Sequence, residues 1–188
     1  EEVGKVCEKL KTDKAAGYDN LCYEHFKYAG VQVYFFVAVL FNAIFKLEYI
    51  PVSFKKSINI PLFKGGEKDA LERTSYRGIS LQSVLCKIFD SIVLQRSQKV
   101  IMSCMKMSPF QGACLKGISS LHISFLLHEF ISHSIENGSE PMITYFDTKR
   151  AFDVLWIEGL FYKLYSEGIN GKLWRILYFH MSIAHHLS

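Results

Sequence analysis

The chain has 188 residues and a formal net charge of +4, and 49% of its residues are hydrophobic, 14% aromatic and 21% charged. This composition favours a packed domain of moderate size, and the four prolines without low-complexity runs exclude collagen-like and mucin-like proteins. Residues 55–116 hold eleven Lys/Arg and four Asp/Glu, an excess of seven positive charges. A basic stretch is typical of binding to nucleic acid or nucleotide phosphates, and a solvated lysine-rich face gives the same pattern.

The cysteines and histidines indicate neither a disulfide framework nor a zinc motif. The five cysteines form no CxxC pair, so we interpret them as free thiols of an intracellular protein in a reducing compartment. His128 and His133 are five residues apart and His185 and His186 are adjacent, so neither pair can face one ion from one helix. The apolar run 31–45 is shorter than the roughly 20 residues of a membrane span, and it predicts a buried helix and no membrane partner.

The first half of the chain predicts helices followed by a β-hairpin. We expect a short helix over residues 2–12, a turn at Gly17, a helix over about 20–29 capped by Asp19 or Asn20, and a helix over about 31–47 that ends before Pro51. Alternation over residues 57–63 and a returning segment at 76–80 predict a hairpin with a long basic tip. Pro61 favours an edge or bulged position in that hairpin.

The second half predicts further helices and one strand. A helix opens at Ser80 or Ser83 and runs to about residue 100, with apolar residues at the i, i+3, i+4, i+7 spacing of a core-facing stripe. Ser119 or Ser120 caps a helix that ends near residue 136. We expect a short buried strand at 142–146 that ends at Asp147, and then helices over about 151–167 and 171–184.

The strongest local motif is the segment 145–153, with sequence YFDTKRAFD. A carboxylate at the end of a buried strand is held rigidly and reaches a crevice, where Asp147 could ligate Mg²⁺. A helix N-cap is the alternative role for Asp147. The chain has no GxxxxGK[ST] phosphate loop, and Lys149 stands where an aspartyl phosphatase would need a second acid.

Ten short segments follow one another with compatible gaps. They are KAAGYD (14–19), EHFK (24–27), LFN (40–42), YIP (49–51), INIPLFK (58–64), YRGISL (76–81), VLCKIF (84–89), QG (111–112), KGISS (116–120) and FDTKRAFD (146–153). Their order resembles the reverse transcriptase domain of non-LTR (LINE-type) retrotransposons over nearly the whole chain. The resemblance implies an α/β (α+β) fold with the fingers and part of the palm of a right-hand polymerase, helix-rich with a fingers β-hairpin and a truncated palm sheet. Residues 1–188 would be a partial domain, with fingers and their connection over about 1–135 and the start of the palm over about 136–188.

The resemblance also implies an RNA-directed DNA polymerase that uses an RNA template, a DNA primer, deoxynucleoside triphosphates and two Mg²⁺ ions. Asp147 would be the catalytic metal ligand, with the backbone carbonyl of Thr148 completing the second ion's shell. Lys64 and Arg77 would grip the triphosphate as a point charge and a fork, unless they are merely exposed hairpin charges. The backbone N–H groups of Lys149, Arg150 and Ala151 would contact the triphosphate, and Phe152 would be a steric gate, unless its ring is core packing. Asp153 would cap or orient a helix. Lys14, Gly17 and Asp19 would position the template or support the fingers, and Lys116 would make a weaker contact with the template.

The chain also departs from the pattern of this family. Ala113 replaces the usual aromatic residue, and residues 154–188 contain neither the Gly-containing palm segment nor a Tyr/Phe-x-Asp-Asp turn. We therefore expect both ends to be truncations, part of the apolar surface to be uncovered, and the 188-residue polypeptide to lack polymerase activity by itself. The rival hypotheses are a non-catalytic nucleic-acid-binding remnant of a decayed element and a helical interaction module built on residues 31–49. Location in the nucleus or cytoplasm follows from the resemblance alone.

Overall fold

The structure, a computed structural model, describes residues 1–104, 108, 110–115, 117–148, 151 and 154–184. These residues form a mixed fold of seven α-helices, two short 3₁₀ helices (Val52–Lys55 and Arg73–Ser75) and a two-stranded sheet. In chain order the elements are α1 (Glu2–Glu8), α2 (Tyr23–Lys27), α3 (Val31–Leu47), β1 (Ser57–Phe63), β2 (Tyr76–Gln82), α4 (Val84–Cys104), α5 (Ser120–Glu136), α6 (Ile157–Ser166) and α7 (Gly171–Ala184). The chain divides into two compact units, of which the first joins Glu1–Cys104 to the segment that begins at Ile157 and the second is Met105–Trp156.

The first unit has a hydrophobic core centred on Phe89 of α4. Phe89 is fully buried, and its ring centroid lies 5.3 Å from that of Phe41, 5.5 Å from that of Phe45 and 5.8 Å from that of Phe54. The predicted apolar stripe of α4 is confirmed, because its members at 84, 88, 89, 92 and 93 are all buried. Burial of so many apolar side chains between α1, α3, α4 and α7 is the main source of stability of this unit.

Helix α3 has the predicted bounds, but the prediction that it is a buried helix is wrong for most of its surface. Only Val37, Phe41 and Ile44 are buried, at the i, i+4, i+7 spacing of one narrow stripe. Phe35 and Phe36 are 63% and 70% exposed. The sequence showed that the helix is apolar all round, and only one stripe of it has a packing partner among the described residues. No described helix has both the length and the apolarity required to cross a membrane.

Strands β1 and β2 form the predicted antiparallel hairpin, with Ser57 opposite Gln82 and Phe63 opposite Tyr76. Within the described residues β1 pairs with β2 alone and is therefore an edge strand, which agrees with the edge position that Pro61 predicted. The tip is not basic, because residues 64–75 carry three basic and three acidic side chains. Helix α4 begins directly after β2, at the base of the hairpin.

The second unit contains α5, which Ser119 caps as predicted. The prediction of a buried strand at 142–146 is wrong. Residues 141–148 are neither strand nor helix, and Met142 and Phe146 are each 94% exposed. A strand requires a neighbour for its backbone hydrogen bonds, and within the described residues the only strands are β1 and β2, which pair with each other. The β-branched and aromatic residues of the segment 142–146 indicate a strand, but they do not show whether a second strand is available to pair with it.

The carboxyl-terminal helices begin and end close to the predicted positions, except at the start of α6. The prediction of a helix from residue 151 is wrong, because α6 begins at Ile157. Helix α7 has the predicted bounds, and the indole N–H of Trp174 donates a 2.9 Å hydrogen bond to the carbonyl of Phe161. Trp174 also stacks on Tyr178, with ring centroids 5.2 Å apart. The ring of Phe161 packs edge-on against Trp174 and Tyr178, with centroids 5.8 Å and 5.2 Å apart, so aromatic contacts join α6 to α7.

Candidate nucleotide-binding site

Lys64 and Arg77 lie on the same hairpin, and both are exposed. Arg77 is opposite Leu62, so its side chain shares a face with that of Leu62. Lys64 follows two residues later, and its backbone N–H still donates a 2.9 Å hydrogen bond to the carbonyl of Ser75. Strand alternation therefore carries both basic residues to one face, at the end of the ladder nearer the tip. The side-chain Nζ of Lys64 donates a 2.5 Å hydrogen bond to the carbonyl of Thr74.

The segment 14–19 holds the base of this hairpin. A Cβ atom on Gly17 would lie 2.7 Å from the carbonyl carbon and oxygen of Gln82, so the chain passes directly against the end of β2. The Oδ2 atom of Asp19 accepts a 2.6 Å hydrogen bond from the hydroxyl of Ser83, and Tyr18 donates one of 3.0 Å to the carbonyl of Ser53. This segment fixes both ends of the hairpin relative to the core.

The prediction that Asp19 or Asn20 caps the second helix is therefore wrong. Cys22 occupies the N-cap position of α2, and its backbone N–H donates a 2.9 Å hydrogen bond to the ring of His25. The carboxylate of Asp19 is used elsewhere, at the junction of β2 and α4. Among the roles expected for Lys14, Gly17 and Asp19, the contacts of Gly17 and Asp19 favour support of the hairpin.

A cavity of about 690 Å³ lies beside the polar face of the hairpin. It is lined by Asn59 and Ser80, which hydrogen-bond to each other across the strands at 2.5 Å, and by Tyr18, Lys55 and Lys56. Burial lowers the pKa of the Lys55 ammonium. Lys55 and Lys56 were not among the predicted site residues, although the sequence shows them as an adjacent basic pair directly before an alternating strand. Val52, Phe54, Met181 and the ring of His180 also line the cavity, so its cations and neutral hydrogen-bonding groups share it with a largely apolar wall.

The other predicted site residues belong to the second unit or lie outside the described residues. Asp147, Thr148 and Ala151 are exposed, and Asp147 and Thr148 follow the irregular segment that replaces the predicted strand. Lys116, Lys149, Arg150, Phe152 and Asp153 lie outside the described residues. The structure therefore places the two halves of the predicted site, the basic pair and the carboxylate, in separate units.

Three curated proteins are similar to this chain over most of its length. It is 25% identical over 164 residues to the probable RNA-directed DNA polymerase from transposon BS of Drosophila melanogaster, and 29% identical over 164 residues to that from transposon X-element of the same fly. It is 29% identical over 170 residues to the RNA-directed DNA polymerase from mobile element jockey of Drosophila funebris. The matches cover 87 to 88% of this chain and 18% of each relative.

No model of a known protein family matches the chain. The similarity to these curated proteins nevertheless includes the hairpin, because only 13% of the chain lies outside each match and the hairpin lies far from both ends. All three relatives are mobile-element polymerases, as the order of the sequence motifs predicts. The chain is thus a relative of the RNA-directed DNA polymerases of non-LTR retrotransposons, and it corresponds to 18% of their length.

Proposed function

We propose that this chain is the part of a retrotransposon reverse transcriptase that binds the incoming deoxynucleoside triphosphate and supplies some of the ligands of its metal site. In this proposal residues 1–135 belong to the fingers and their connection to the palm, and residues 136–188 to the start of the palm. The observation that carries the proposal is the pair of exposed cations on one braced hairpin, in a chain whose relatives are polymerases. Because the similar curated proteins are named as polymerases, this function is favoured over a non-catalytic nucleic-acid-binding remnant of a decayed element.

The hairpin supplies the triphosphate contacts in this proposal. The guanidinium of Arg77 can donate two parallel hydrogen bonds to phosphate oxygens, and the ammonium of Lys64 adds a compact positive charge. The ammonium must exchange its hydrogen bond to the carbonyl of Thr74 for one to phosphate. Because Gly17 and Asp19 brace the base of the hairpin, both cations are presented by a fixed element, which lowers the entropy lost on binding.

Asp147 and Thr148 supply the oxygen ligands in this proposal. A carboxylate and a backbone carbonyl are hard donors, and Mg²⁺ is typically held by one or two carboxylates, several waters and substrate phosphates, so the exposed pair fits the ion. Bound there, Mg²⁺ would neutralise charge on the triphosphate and lower the pKa of a primer 3′-hydroxyl. The backbone N–H groups of Lys149, Arg150 and Ala151 would donate to the triphosphate, and the ring of Phe152 would exclude a 2′-hydroxyl.

The partners in this proposal are an RNA template, a DNA primer and deoxynucleoside triphosphates. The basic excess over residues 55–116, which includes Lys116, would bind the phosphate backbone of the template.

The thiols of Cys7, Cys22, Cys86 and Cys114 are free, and we propose a reducing compartment on that basis.

Equilibrium binding of a fluorescent deoxynucleoside triphosphate tests the proposed hairpin site. Arg77→Ala should weaken binding by about tenfold, the lower range for a hydrogen bond to a charged group. Lys64→Ala should weaken it by roughly threefold, as expected for an exposed single charge. Lys68→Ala, on the tip of the same hairpin, is the matched control and should leave the affinity unchanged. If Arg77→Ala binds the triphosphate as tightly as Lys68→Ala and the unsubstituted chain do, the hairpin does not bind the triphosphate.

A further inference from the structure

Three residues with metal-binding side chains meet inside the first unit, away from the hairpin tip. Cys86 and Asp90 lie one turn apart on α4, and His180 comes from α7. One donor atom from each residue lies within 4.8 Å of the other two. The contributors are a sulfur, a carboxylate oxygen and an imidazole nitrogen, the three ligand types that Zn²⁺ accepts.

The distances between these atoms are close to those of a shared coordination sphere. The imidazole Nε2 of His180 lies 2.7 Å from Oδ1 of Asp90, and Sγ of Cys86 lies 3.8 Å from Oδ2 of the same carboxylate. In a tetrahedral site with metal–ligand distances of about 2.0–2.3 Å, neighbouring donor atoms are separated by roughly 3.3–3.5 Å. To admit an ion, the imidazole nitrogen and the carboxylate must separate by about 0.6 Å, the sulfur must come about 0.3 Å closer to the carboxylate, and the sulfur and imidazole nitrogen, which lie within 4.8 Å of each other, must reach the same spacing.

The surroundings of the cluster match an open site with a buried inner ligand. Cys86 is fully buried, whereas the side chains of His180 and Asp90 are 17% and 36% exposed. An ion can therefore enter over the carboxylate and the imidazole and reach the thiol beneath them. Water can fill a fourth position on the exposed side.

The histidine is not fully satisfied by its present contacts. Its Nδ1 atom is buried and has no hydrogen-bond partner among the described residues. A buried ring nitrogen without a partner is uncommon in folded proteins. The ring of His180 also packs edge-on against Phe89, with centroids 6.2 Å apart, so its Nε2 atom is held facing the carboxylate of Asp90.

We propose that Cys86, Asp90 and His180 form a Zn²⁺ site that joins α4 to α7. On binding, Zn²⁺ replaces the thiol hydrogen of Cys86, whose proton is released to solvent, and the carboxylate and neutral imidazole complete the protein ligands. The thiol in turn gives up its 3.2 Å hydrogen bond to the carbonyl of Phe54. Because His180 is 90 residues from Asp90 in sequence, the ion restrains the approach of the carboxyl-terminal helix to the core.

Cobalt substitution tests this site by a readout that is independent of polymerase activity. Titration of the 188-residue chain with Co²⁺ should give one thiolate-to-cobalt charge-transfer band with the intense visible bands of tetrahedral Co²⁺, saturating at one ion per chain. Equimolar Zn²⁺ should abolish both sets of bands. Cys86→Ser should remove the charge-transfer band, and Asp90→Asn and His180→Gln should each weaken Co²⁺ binding by 10-fold or more.

The control variants are Cys22→Ser and Cys114→Ser, which remove less buried free thiols and should leave the spectrum unchanged. Since Cys86 is buried, circular dichroism must first show that Cys86→Ser is folded. Asp90→Asn provides a second test at a partly exposed position. A charge-transfer band that persists in folded Cys86→Ser, binding that is unchanged in Asp90→Asn, or absence of the band in the unsubstituted chain would each overturn the proposal.

Discussion

The contact between Gly17 and the end of β2 makes a sharp prediction about stability. A Cβ atom at position 17 would lie 2.7 Å from the carbonyl carbon and oxygen of Gln82 and 2.8 Å from the backbone nitrogen of Ser83. Favourable carbon contacts begin at about 3.5 Å, so Gly17→Ala must displace one of two backbone segments by about 0.8 Å. Neither segment can move as a side chain does, because the hydrogen bond between Asp19 and Ser83 ties them together at 2.6 Å.

We expect Gly17→Ala to reduce the free energy of unfolding by about 3 kcal/mol, the upper range for overpacking. For a chain of this size that loss lowers the thermal midpoint by roughly 6–12 °C. Urea unfolding followed by circular dichroism measures the change directly, with an unchanged slope expected. The matched control is Gly78→Ala on β2, where a Cβ atom has no neighbour within 4 Å and the change should stay within about 0.5 kcal/mol. A Gly17→Ala variant as stable as Gly78→Ala would refute the proposed brace.

Further predictions concern the core, an ion pair and a buried thiol. Phe89→Ala should reduce the free energy of unfolding by about 3–5 kcal/mol in urea titrations, because the fully buried ring contacts three other phenylalanines. The Nε atom of Arg175 donates a 2.5 Å hydrogen bond to Oε2 of Glu48, and this contact lowers the pKa of the Glu48 carboxyl. The ion pair therefore stabilises the fold at pH values above the usual pKa of Glu, and this stabilisation is lost as the pH falls through the lowered pKa. Glu48→Gln should therefore be less stable than the unsubstituted chain at neutral pH and equally stable in acid. Burial raises the pKa of the Cys7 thiol to about 11, so its alkylation at pH 8 should be about a hundredfold slower than that of a thiol at the usual value.

Each of these predictions has a distinguishing outcome. Phe36→Ala removes a ring that is 70% exposed, and it should cost far less than Phe89→Ala; similar losses would contradict the assignment of the core. A stability difference between Glu48→Gln and the unsubstituted chain that persists in acid would exclude the ion pair as its cause. Mass spectrometry after timed alkylation should find exposed Cys114 modified before Cys7, and the reverse order would contradict the burial of Cys7.

Sequence reasoning succeeded where an element is defined by its own residues. The bounds of α3 and α7 follow from their apolar periods and flanking turn residues, and the hairpin follows from two alternating segments around Gly65-Gly66. The start of α5 follows from Ser119, a local N-cap. These features depend on contacts within a few residues, which the sequence displays directly.

Sequence reasoning failed where the outcome depends on a distant partner. The segment 142–146 has the composition of a strand, but the described residues offer it no neighbouring strand. Asp19 is of a residue type that commonly caps helices, but its carboxylate accepts a hydrogen bond from the hydroxyl of Ser83, 64 residues away. The cluster of Cys86, Asp90 and His180 illustrates the same limit: Cys86 and Asp90 show helical i, i+4 spacing, whereas His180 joins them only through the packing of α7.

In the proposed function Arg77 and Asp147 each contribute to the affinity for the triphosphate, and the Mg²⁺ dependence of that affinity tests this most directly. The dissociation constant for a deoxynucleoside triphosphate should be measured across a Mg²⁺ titration for the unsubstituted chain, Asp147→Asn and Arg77→Ala. We expect the affinity of the unsubstituted chain to rise with Mg²⁺, Asp147→Asn to lose most of that rise, and Arg77→Ala to bind about tenfold more weakly at every Mg²⁺ concentration. An Asp147→Asn variant whose affinity rises with Mg²⁺ as steeply as that of the unsubstituted chain would contradict the account.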